Sequence, residues 1–216
     1  MKLLAFTDIH ADFDAARKVC SLAKREKVDL MLCAGDMTLF GNGLPDMIKI
    51  FDIGIPLLII AGNHETFGQI KGIEKKFDFI KDIHLKPVKK GNIDFIKNIH
   101  LKPVKKGNII FFGCGGSGIT PNNTPNEMRE ENFKDMLSRF RNEKDNLILV
   151  THEPPYNTKL DFICKHKGSR QIRKFIEENQ PLYAICGHFH ENEGKEDKIG
   201  KTKIINPGPK GKIIEI

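Results

Sequence analysis

The sequence has few cysteines and no long apolar run, and both absences exclude whole classes of protein. Its five cysteines form no C-x-x-C pair, which argues against a disulfide framework or a zinc ribbon and favours a reducing compartment. No run reaches the 18 or more apolar residues of a membrane span. The amino terminus, MKLLAFTDIH, turns polar too early for a signal peptide. We therefore expect a soluble, unprocessed, cytoplasmic protein with no membrane partner.

Acidic residues are fewer than basic ones: 28 Asp and Glu stand against 35 Lys and Arg, for a net charge of +7. This excess of positive charge is compatible with an anionic partner, but proteins with ordinary lysine-rich surfaces have a similar net charge. The 216 residues suffice for one α/β domain that buries roughly 70% of its unfolded surface. We therefore expect a single domain spanning 1–216.

A tandem duplication lies in the middle of the chain. Residues 78–93 recur at 94–109 with one difference, Asp82 against Asn98. Repeat proteins stack three or more units, so we interpret this single pair as a 16-residue insertion. The second copy has four lysines and one aspartate, a net +3, which leaves +4 for the other 200 residues. Each copy predicts a short strand, at 83–86 or 99–102, and either copy can pair with a strand at 109–112.

Short apolar runs alternate with helical patterns along the chain, which predicts an α/β fold. The predicted strands are 2–6, 30–33, 56–61, 109–112, 147–150 and 182–186, with 203–205 and 212–216 in the tail. One helix is predicted over 14–27, and another begins after Ser169 and ends before Pro181. Thr124 and Glu127 form the pattern of a capping box, which predicts a third helix running to about Asn142.

Five of the apolar runs are followed at once by side chains that bind metal ions. These residues are Asp8 and His10, Asp36, Asn63 and His64, His152, and His188 and His190. Ligands of parallel α/β sheets bind beyond the carboxyl ends of the strands, so we expect the five segments to converge at one edge. A mixed set of oxygen and imidazole ligands suits manganese, iron, zinc or cobalt better than magnesium or calcium.

The number of candidate ligands suggests more than one ion. With His64 set aside, two carboxylates, one amide oxygen and four imidazoles are too many for one tetrahedral ion, but they suit two ions about 3.5–4 Å apart that share a carboxylate. After Asp8, Asp36 and a bridging hydroxide are counted, two divalent ions leave the cluster near +1, so it attracts phosphate. Such a centre orients the hydroxide for in-line attack on a phosphoester.

In order, the motifs D-x-H, GD, GNH-[DE], H and GH-x-H resemble the calcineurin-like metallophosphoesterase superfamily, and they span residues 8–190. The resemblance implies an α/β fold of two facing mixed β-sheets flanked by helices, an αββα sandwich. It implies that His64 is a non-ligand histidine, which donates a proton to the leaving oxygen or stabilises the transition state. The implied ligands are Asp8, His10 and His190 for one metal, Asn63, His152 and His188 for the other, and Asp36 as the bridge.

These features predict a metal-dependent phosphoric ester hydrolase acting on a small phosphomonoester or phosphodiester, such as a nucleotide. Its cofactors are expected to be two divalent ions, manganese first, with iron, zinc, nickel or cobalt as alternatives. One alternative function is a nuclease, which needs a larger basic footprint than the +4 outside the insertion. The other is a catalytically idle binding scaffold of the same fold, against which His64 and the complete ligand set argue.

Other motifs favour structural interpretations. The segment 113–118 matches G-x-G-x-x-G, but Pro121 and Pro125 prevent a helix from opening on its third glycine, so we interpret it as a loop rather than a dinucleotide site. Cys33, Cys114 and Cys186 are expected to pack in the core. His84 and His100 belong to the duplication and are not expected to act directly. His166 is interpreted as part of a solvated basic loop that also holds Lys159, Lys165, Lys167 and Arg170.

Overall fold

The computed structural model describes residues 1–77, 80–82, 88–89, 109–140 and 146–216. The strands are β1 (Lys2–Phe6), β2 (Leu30–Cys33), β3 (Leu57–Ile59), β4 (Ile80–Asp82), β5 (Val88–Lys89), β6 (Ile109–Cys114), β7 (Asn146–Thr151), β8 (Phe162–Ile163), β9 (Lys165–His166), β10 (Tyr183–Ile185), β11 (Glu196–Ile199), β12 (Thr202–Ile205) and β13 (Lys212–Glu215). The helices are α1 (Phe13–Arg25), α2 (Leu44–Ile50), α3 (Phe67–Lys76), α4 (Glu130–Leu137) and α5 (Arg170–Asn179), and a 3-10 turn covers His190–Asn192.

The strands form two mixed sheets and a separate hairpin. The first sheet has the order β13-β1-β2-β3-β4, and its strands are parallel except for β13. The second has the order β11-β12-β10-β7-β6-β5, with parallel strands in the middle and antiparallel β11 and β5 at the edges. Strands β8 and β9 pair only with each other.

Three apolar layers hold the elements together. Alternate residues of β1 face opposite sides: Leu4 and Phe6 pack with α1, α2 and α3, whereas Leu3 and Ala5 pack between the two sheets. A third layer lies between the second sheet and helices α4 and α5. Strands buried on both faces read as continuous apolar runs, which is why the sequence identified them. The predicted αββα sandwich is therefore confirmed.

Two predicted helices are confirmed, with the predicted cap Ser169 for one and the unpredicted cap Asp12 for the other. Asp12 caps α1, since its Oδ1 accepts hydrogen bonds from the N–H groups of Asp14 and Ala15 at 2.9 Å. Ser169 caps α5 by accepting from Ile172 N–H at 3.2 Å. Within the described ranges, no helix is long and apolar enough to cross a membrane.

The start predicted for the third helix is wrong. Helix α4 begins at Glu130, six residues after Thr124, and its predicted end at Asn142 lies outside the described residues. The hydroxyl of Thr124 donates to the Glu127 carboxylate at 2.6 Å instead of accepting from a helical N–H. Glu127 also accepts from the Thr120 hydroxyl and pairs in a β-bridge with Ser117, so this segment is a loop.

The first copy of the duplication contributes an edge strand to each sheet. Strand β4 pairs parallel with β3, and β5 pairs antiparallel with β6. The predicted strands at 83–86 and 99–102 lie outside the described residues, as do His84 and His100.

Candidate metal centre

The predicted ligand segments meet at the carboxyl ends of β1, β2, β3, β7 and β10. Backbone hydrogen bonds join neighbouring loops. Asp8 N–H donates to Gly35 O at 3.1 Å, His10 N–H to Asp36 O at 3.0 Å, and Gly187 N–H to His152 O at 3.0 Å. The topology therefore brings together residues such as His10 and His190, which are 180 positions apart in the chain.

Four of the candidate ligands have left-handed backbone conformations. Their φ angles are 57° for Asp8, 46° for His10, 52° for Asp36 and 72° for His188. This conformation is uncommon for residues other than glycine, and it costs about 1–3 kcal/mol for each such residue. Residues with strained backbones of this kind cluster at functional sites.

Asp8, His10 and His190 form one candidate cluster. The Nε2 atoms of the two histidines lie 2.9 Å apart, and each is 3.6 Å from Asp8 Oδ1. This buried oxygen has no hydrogen-bond partner within the described part of the chain. Although burial opposes ionisation, the neighbouring imidazoles of His10 and His190 hold the pKa of Asp8 well below its usual range. An ionised oxygen and two imidazole nitrogens thus converge where a cation would satisfy all three.

A second group of ligand atoms surrounds Asn63. Its Oδ1 lies 2.8 Å from His152 Nε2 and 3.0 Å from His188 Nδ1. His152 Nδ1 lies 2.9 Å from Ala34 O, and a carbonyl only accepts, so Nδ1 carries a proton. His152 Nε2 then faces oxygens. Burial lowers the pKa of this histidine, but the charges of Asp36 and Asp8 raise it to about 10. The site favours positive charge at Nε2, which a divalent cation can supply.

The carboxylate of Asp36 lies between the two groups. Its Oδ2 is 3.2 Å from His152 Nε2 and 3.7 Å from His10 Nε2, while Oδ1 accepts from His64 N–H at 2.9 Å. Gly62 makes room for it, because a Cβ there would lie 2.0 Å from Asp36 Oδ1. The carboxylate predicted to bridge is therefore in reach of ligand atoms on both sides.

The ring of His64 lies beside these groups. Its centroid is 5.0 Å from that of His10, with the rings nearly perpendicular. The ring is partly exposed, and burial lowers its pKa. Its Nδ1 has no hydrogen-bond partner among the described residues. A ligand atom of this ring lies within 4.8 Å of ligand atoms of His10 and Asp36, so the structure places His64 in the candidate metal centre.

The family model of calcineurin-like phosphoesterases matches residues 1–192. The chain belongs to this family. It is therefore a metallophosphoesterase, and enzymes of this family are hydrolases that typically bind divalent metal ions. The described residues of the chain include three clusters of histidine and aspartate that could hold such ions.

This metallophosphoesterase is 33% identical over 222 aligned positions to the uncharacterized protein MJ1162 of Methanocaldococcus jannaschii, covering 99% of this chain and 91% of that protein. It is 24% identical to the DNA double-strand break repair protein Mre11 of Sulfurisphaera tokodaii, covering 94% of this chain but 46% of Mre11. Two solved structures share its fold. TT1561 of Thermus thermophilus has a TM-score of 0.72 at 16% identity, covering 96% of this chain and 88% of that one. A dimetal phosphatase from Danio rerio has a TM-score of 0.60 at 12% identity, covering 95% and 86%.

The metallophosphoesterase holds its ligand loops with buried residues that sequence reasoning did not assign. The carboxylate of Glu65 accepts from Asp36 N–H at 3.1 Å, from Thr38 N–H and hydroxyl at 2.7 Å each, and from Gly62 N–H at 3.4 Å. Burial and the charge of Asp36 raise the pKa of Glu65 to about 7, against the hydrogen bonds. Glu65 thus ties the Asp36 loop to the Asn63 loop; its place in the GNH-[DE] motif was the available signal.

The loop 115–127 supports Asn63 from another direction. Asn63 Nδ2 donates to Thr124 Oγ1 at 3.0 Å, and Asn126 Nδ2 donates to Gly62 O at 2.9 Å. Gly115 passes so close that a Cβ would lie 2.4 Å from Ala61 O. No helix opens on Gly118, so this part of the G-x-G-x-x-G match reflects close packing beside the metal centre.

Glu153 is a further buried carboxylate next to a candidate ligand. Its Oε2 accepts from Gly118 N–H at 2.9 Å and lies 3.7 Å from His188 Nε2. Burial raises the pKa of Glu153 to about 8, against the hydrogen bond from Gly118. It lies on the side of His188 opposite to the nitrogen that faces Asn63, beyond the distance of a direct hydrogen bond.

The remaining candidates lie apart from the ligand clusters. His166 Nδ1 contacts Asp161 Oδ1 at 2.8 Å, and Asp161 also accepts from three backbone N–H groups. The loop predicted to be merely solvated is thus organised around a buried carboxylate. Cys33, Cys114 and Cys186 are fully buried, as predicted for core residues, and burial raises the pKa of Cys114 to about 12.

Proposed function

We propose that this metallophosphoesterase uses two divalent ions to hydrolyse a small phosphomonoester or phosphodiester, with nucleotides among its candidate substrates. The position of Asp36 carries the proposal. Its carboxylate lies within 3.7 Å of imidazole nitrogens that belong to two different groups of ligand atoms. One carboxylate that faces two ligand sets is the arrangement that a pair of ions requires.

The proposed ligands are Asp8, His10 and His190 for one ion, Asn63, His152 and His188 for the other, and Asp36 for both. The chemistry of the donors supports this assignment. Asp8 Oδ1 is buried without a partner among the described residues, and His152 Nε2 faces two oxygens. Nitrogen and oxygen donors together favour manganese, with iron, zinc, nickel and cobalt as alternatives.

Two divalent ions, when bound, activate water for in-line attack and neutralise charge on the phosphoryl oxygens. The residues of the chain orient this chemistry. His152 keeps its proton on Nδ1 through Ala34 O, so Nε2 stays directed at the site. His64 stands outside the ligand set and donates a proton to the leaving oxygen, or stabilises the transition state. The nearby ring of His10 limits its orientation.

The test begins with metal-stripped protein, which we expect to be inert toward p-nitrophenyl phosphate and bis-p-nitrophenyl phosphate and to recover with Mn²⁺. Asp36→Ala should lose metal and activity together, whereas His64→Ala should lose turnover and keep metal. His166→Ala is the matched control, because this histidine also faces a carboxylate but lies outside the ligand clusters. Two ions still bound after Asp36→Ala would refute the bridging role, and no turnover with any divalent metal would favour a binding scaffold.

A nuclease is the second candidate, favoured by the 24% identity to Mre11. The residues outside 94–109 carry a net charge of +4, a small basic excess for a nucleic-acid surface. Adding single-stranded and duplex DNA to the substrate panel separates the two functions, since only a nuclease would cleave DNA in preference to the small esters.

We further propose that residues 1–216 form one cytoplasmic domain in which 94–109 is an insertion. The layer of apolar side chains shared by both sheets supports a single folding unit. The strands β4 and β5 come from the first copy, and deletion of 94–109 puts Ile93 in the place of Ile109. The deletion variant should fold and hydrolyse substrate; failure of either would show that the second copy belongs to the core.

A further inference from the structure

The loop after β2 exposes apolar side chains next to the proposed active site. Leu39 is 45% exposed and Phe40 is 49% exposed. The ring of Phe40 packs nearly perpendicular to that of His64, with the centroids 5.0 Å apart. Single exposed apolar residues are common and need no explanation. Phe40 differs because of its backbone.

Phe40 occupies a turn that does not suit phenylalanine. Asn42 N–H donates to Leu39 O at 3.1 Å, and the two residues between them have φ angles of 56° for Phe40 and 74° for Gly41. Positive φ at both central positions is the type I′ pattern, which Gly, Asn and Asp dominate. A bulky residue there is an outlier, so local backbone preference does not account for the ring.

The turn is held in place by its surroundings. A Cβ on Gly41 would lie 2.1 Å from the side chain of Gln69, so the turn lies directly against the start of α3. Gln69 is itself fixed, because its Oε1 accepts from Thr66 N–H at 2.8 Å. The ring of His64 therefore has two ring neighbours, Phe40 and His10 of the proposed metal centre, each with its centroid 5.0 Å away.

We propose that Phe40 contacts the leaving group, and that it makes the enzyme prefer phosphate esters whose leaving alcohol carries an aromatic ring. This rests on the proposed function, in which His64 donates a proton to the leaving oxygen. A leaving group beside His64 reaches the exposed part of Phe40. Aromatic rings pair at centroid distances of about 4.5–7 Å, and such a pair is worth about 2- to 10-fold in affinity beyond the buried area.

The experiment compares benzyl, cyclohexylmethyl and ethyl phosphates, each as the monoester and as its methyl diester, by release of the larger alcohol. The benzyl-to-ethyl ratio of kcat/KM cancels general effects of a substitution on the metal centre. We expect Phe40→Asn to lower this ratio about fivefold. Leu182→Asn is the control, because Leu182 is also exposed but lies away from the metal centre. It precedes the first residue of β10, whereas His188 follows the last residue of that strand.

A second readout is independent of turnover. Asparagine suits the turn, so Phe40→Asn should keep or raise the Tm while it lowers the preference for benzyl esters. Phe40→Leu, which keeps apolar bulk without a ring, should lower the preference too. An unchanged ratio in both variants overturns the proposal. Equal kcat/KM for cyclohexylmethyl and benzyl esters in the wild type also overturns it, because apolar contact alone would then suffice.

Failure of the proposed function is distinguishable from failure of this inference. If the wild type hydrolyses none of the esters, the proposed function is wrong. The contact with Phe40 is then tested by measuring ligand binding instead of turnover. Calorimetry of the Mn²⁺-loaded wild type and Phe40→Asn with benzylphosphonate and ethylphosphonate measures the same ratio without turnover. Tighter binding of benzylphosphonate that Phe40→Asn abolishes supports the aromatic contact, and equal ratios in both proteins refute it.

Discussion

The orientation of the Asn63 amide depends on Thr124, and this dependence gives a direct test of how the loop supports the metal centre. Thr124 Oγ1 lies 2.6 Å from Glu127 Oε1 and 3.0 Å from Asn63 Nδ2. An ionised carboxylate only accepts, so the hydroxyl proton points to Glu127 and the hydroxyl oxygen accepts from Asn63. Asn63 Oδ1 is thereby directed at His152 and His188.

Thr124→Val keeps the shape of the side chain and removes the hydroxyl. If the amide keeps its orientation, the buried Nδ2 of Asn63 loses its acceptor, which costs about 1–3 kcal/mol of unfolding free energy. If the amide flips, its NH2 group replaces the ligand oxygen. Loss of such supporting contacts weakens metal binding about 10- to 100-fold. Thr124→Ser should restore both quantities, because it keeps the hydroxyl.

The assay is a calorimetric titration of metal-free protein with Mn²⁺, combined with urea unfolding. We expect weaker binding of the ion assigned to Asn63 and unchanged binding of the other. Thr120→Val is the matched control, since the Thr120 hydroxyl donates to the same Glu127 oxygen at 2.5 Å. It should lose stability and keep metal affinity. Affinities within twofold of wild type in Thr124→Val, or equal weakening in Thr120→Val, would refute the reasoning.

Three further predictions concern residues around this centre. Burial acts to raise the pKa of Glu127, but hydrogen bonds from Thr120 and Thr124 hold it at about 2, below the 4.5 of a free glutamate. The ionised carboxylate therefore stabilises the fold fully above pH 4.5, and this contribution disappears as the pH falls through 2. The stability difference between wild type and Glu127→Gln should shrink over that range in urea titrations; a constant difference would contradict this. Asp161→Asn leaves at least one buried N–H without an acceptor and should lower the free energy of unfolding in urea by about 1–3 kcal/mol. The control, exposed Asp52→Asn, should lower it by under about 0.5 kcal/mol. Equal losses in the two variants would show that the Asp161 carboxylate does not organise its loop. Gly62→Ala should displace Asp36, whose Oδ1 would lie 2.0 Å from the new Cβ, and weaken Mn²⁺ binding at least about tenfold by titration, so unchanged affinity would show that the loop can yield.

The buried central strands and two of the helix starts could be predicted because their signals are local. Strands β1 and β2 are buried on both faces, and such strands have continuous apolar sequences. Asp12 and Ser169 cap their helices with side chains that reach only two or three residues along the chain. The order of ligand motifs was informative for a related reason, because each motif follows a strand and parallel strands end at one edge.

A comparison of two similar segments shows where local signals fail. Thr66 and Gln69 have the capping-box spacing and form the box at the start of α3. Thr124 and Glu127 have the same spacing but start no helix. The Glu127 carboxylate accepts from Thr124 N–H at 3.0 Å, as in a capping box, but it also accepts from the Thr120 hydroxyl, and Asn126 donates to Gly62 O across the metal-centre loop. Contacts between residues 64 positions apart thus decide between the two outcomes.

The sequence by itself determined the fold class, the family and the set of side chains at the strand ends, because these depend on apolar periodicity and on short motifs. Only the tertiary structure decided which buried groups support that set: the carboxylates of Glu65 and Glu153, and the hydroxyl of Thr124. Their partners lie on other loops, so no spacing along the chain identifies them. A buried hydrogen-bonding group is satisfied by whatever polar atom folding brings within reach, and that depends on how the loops pack.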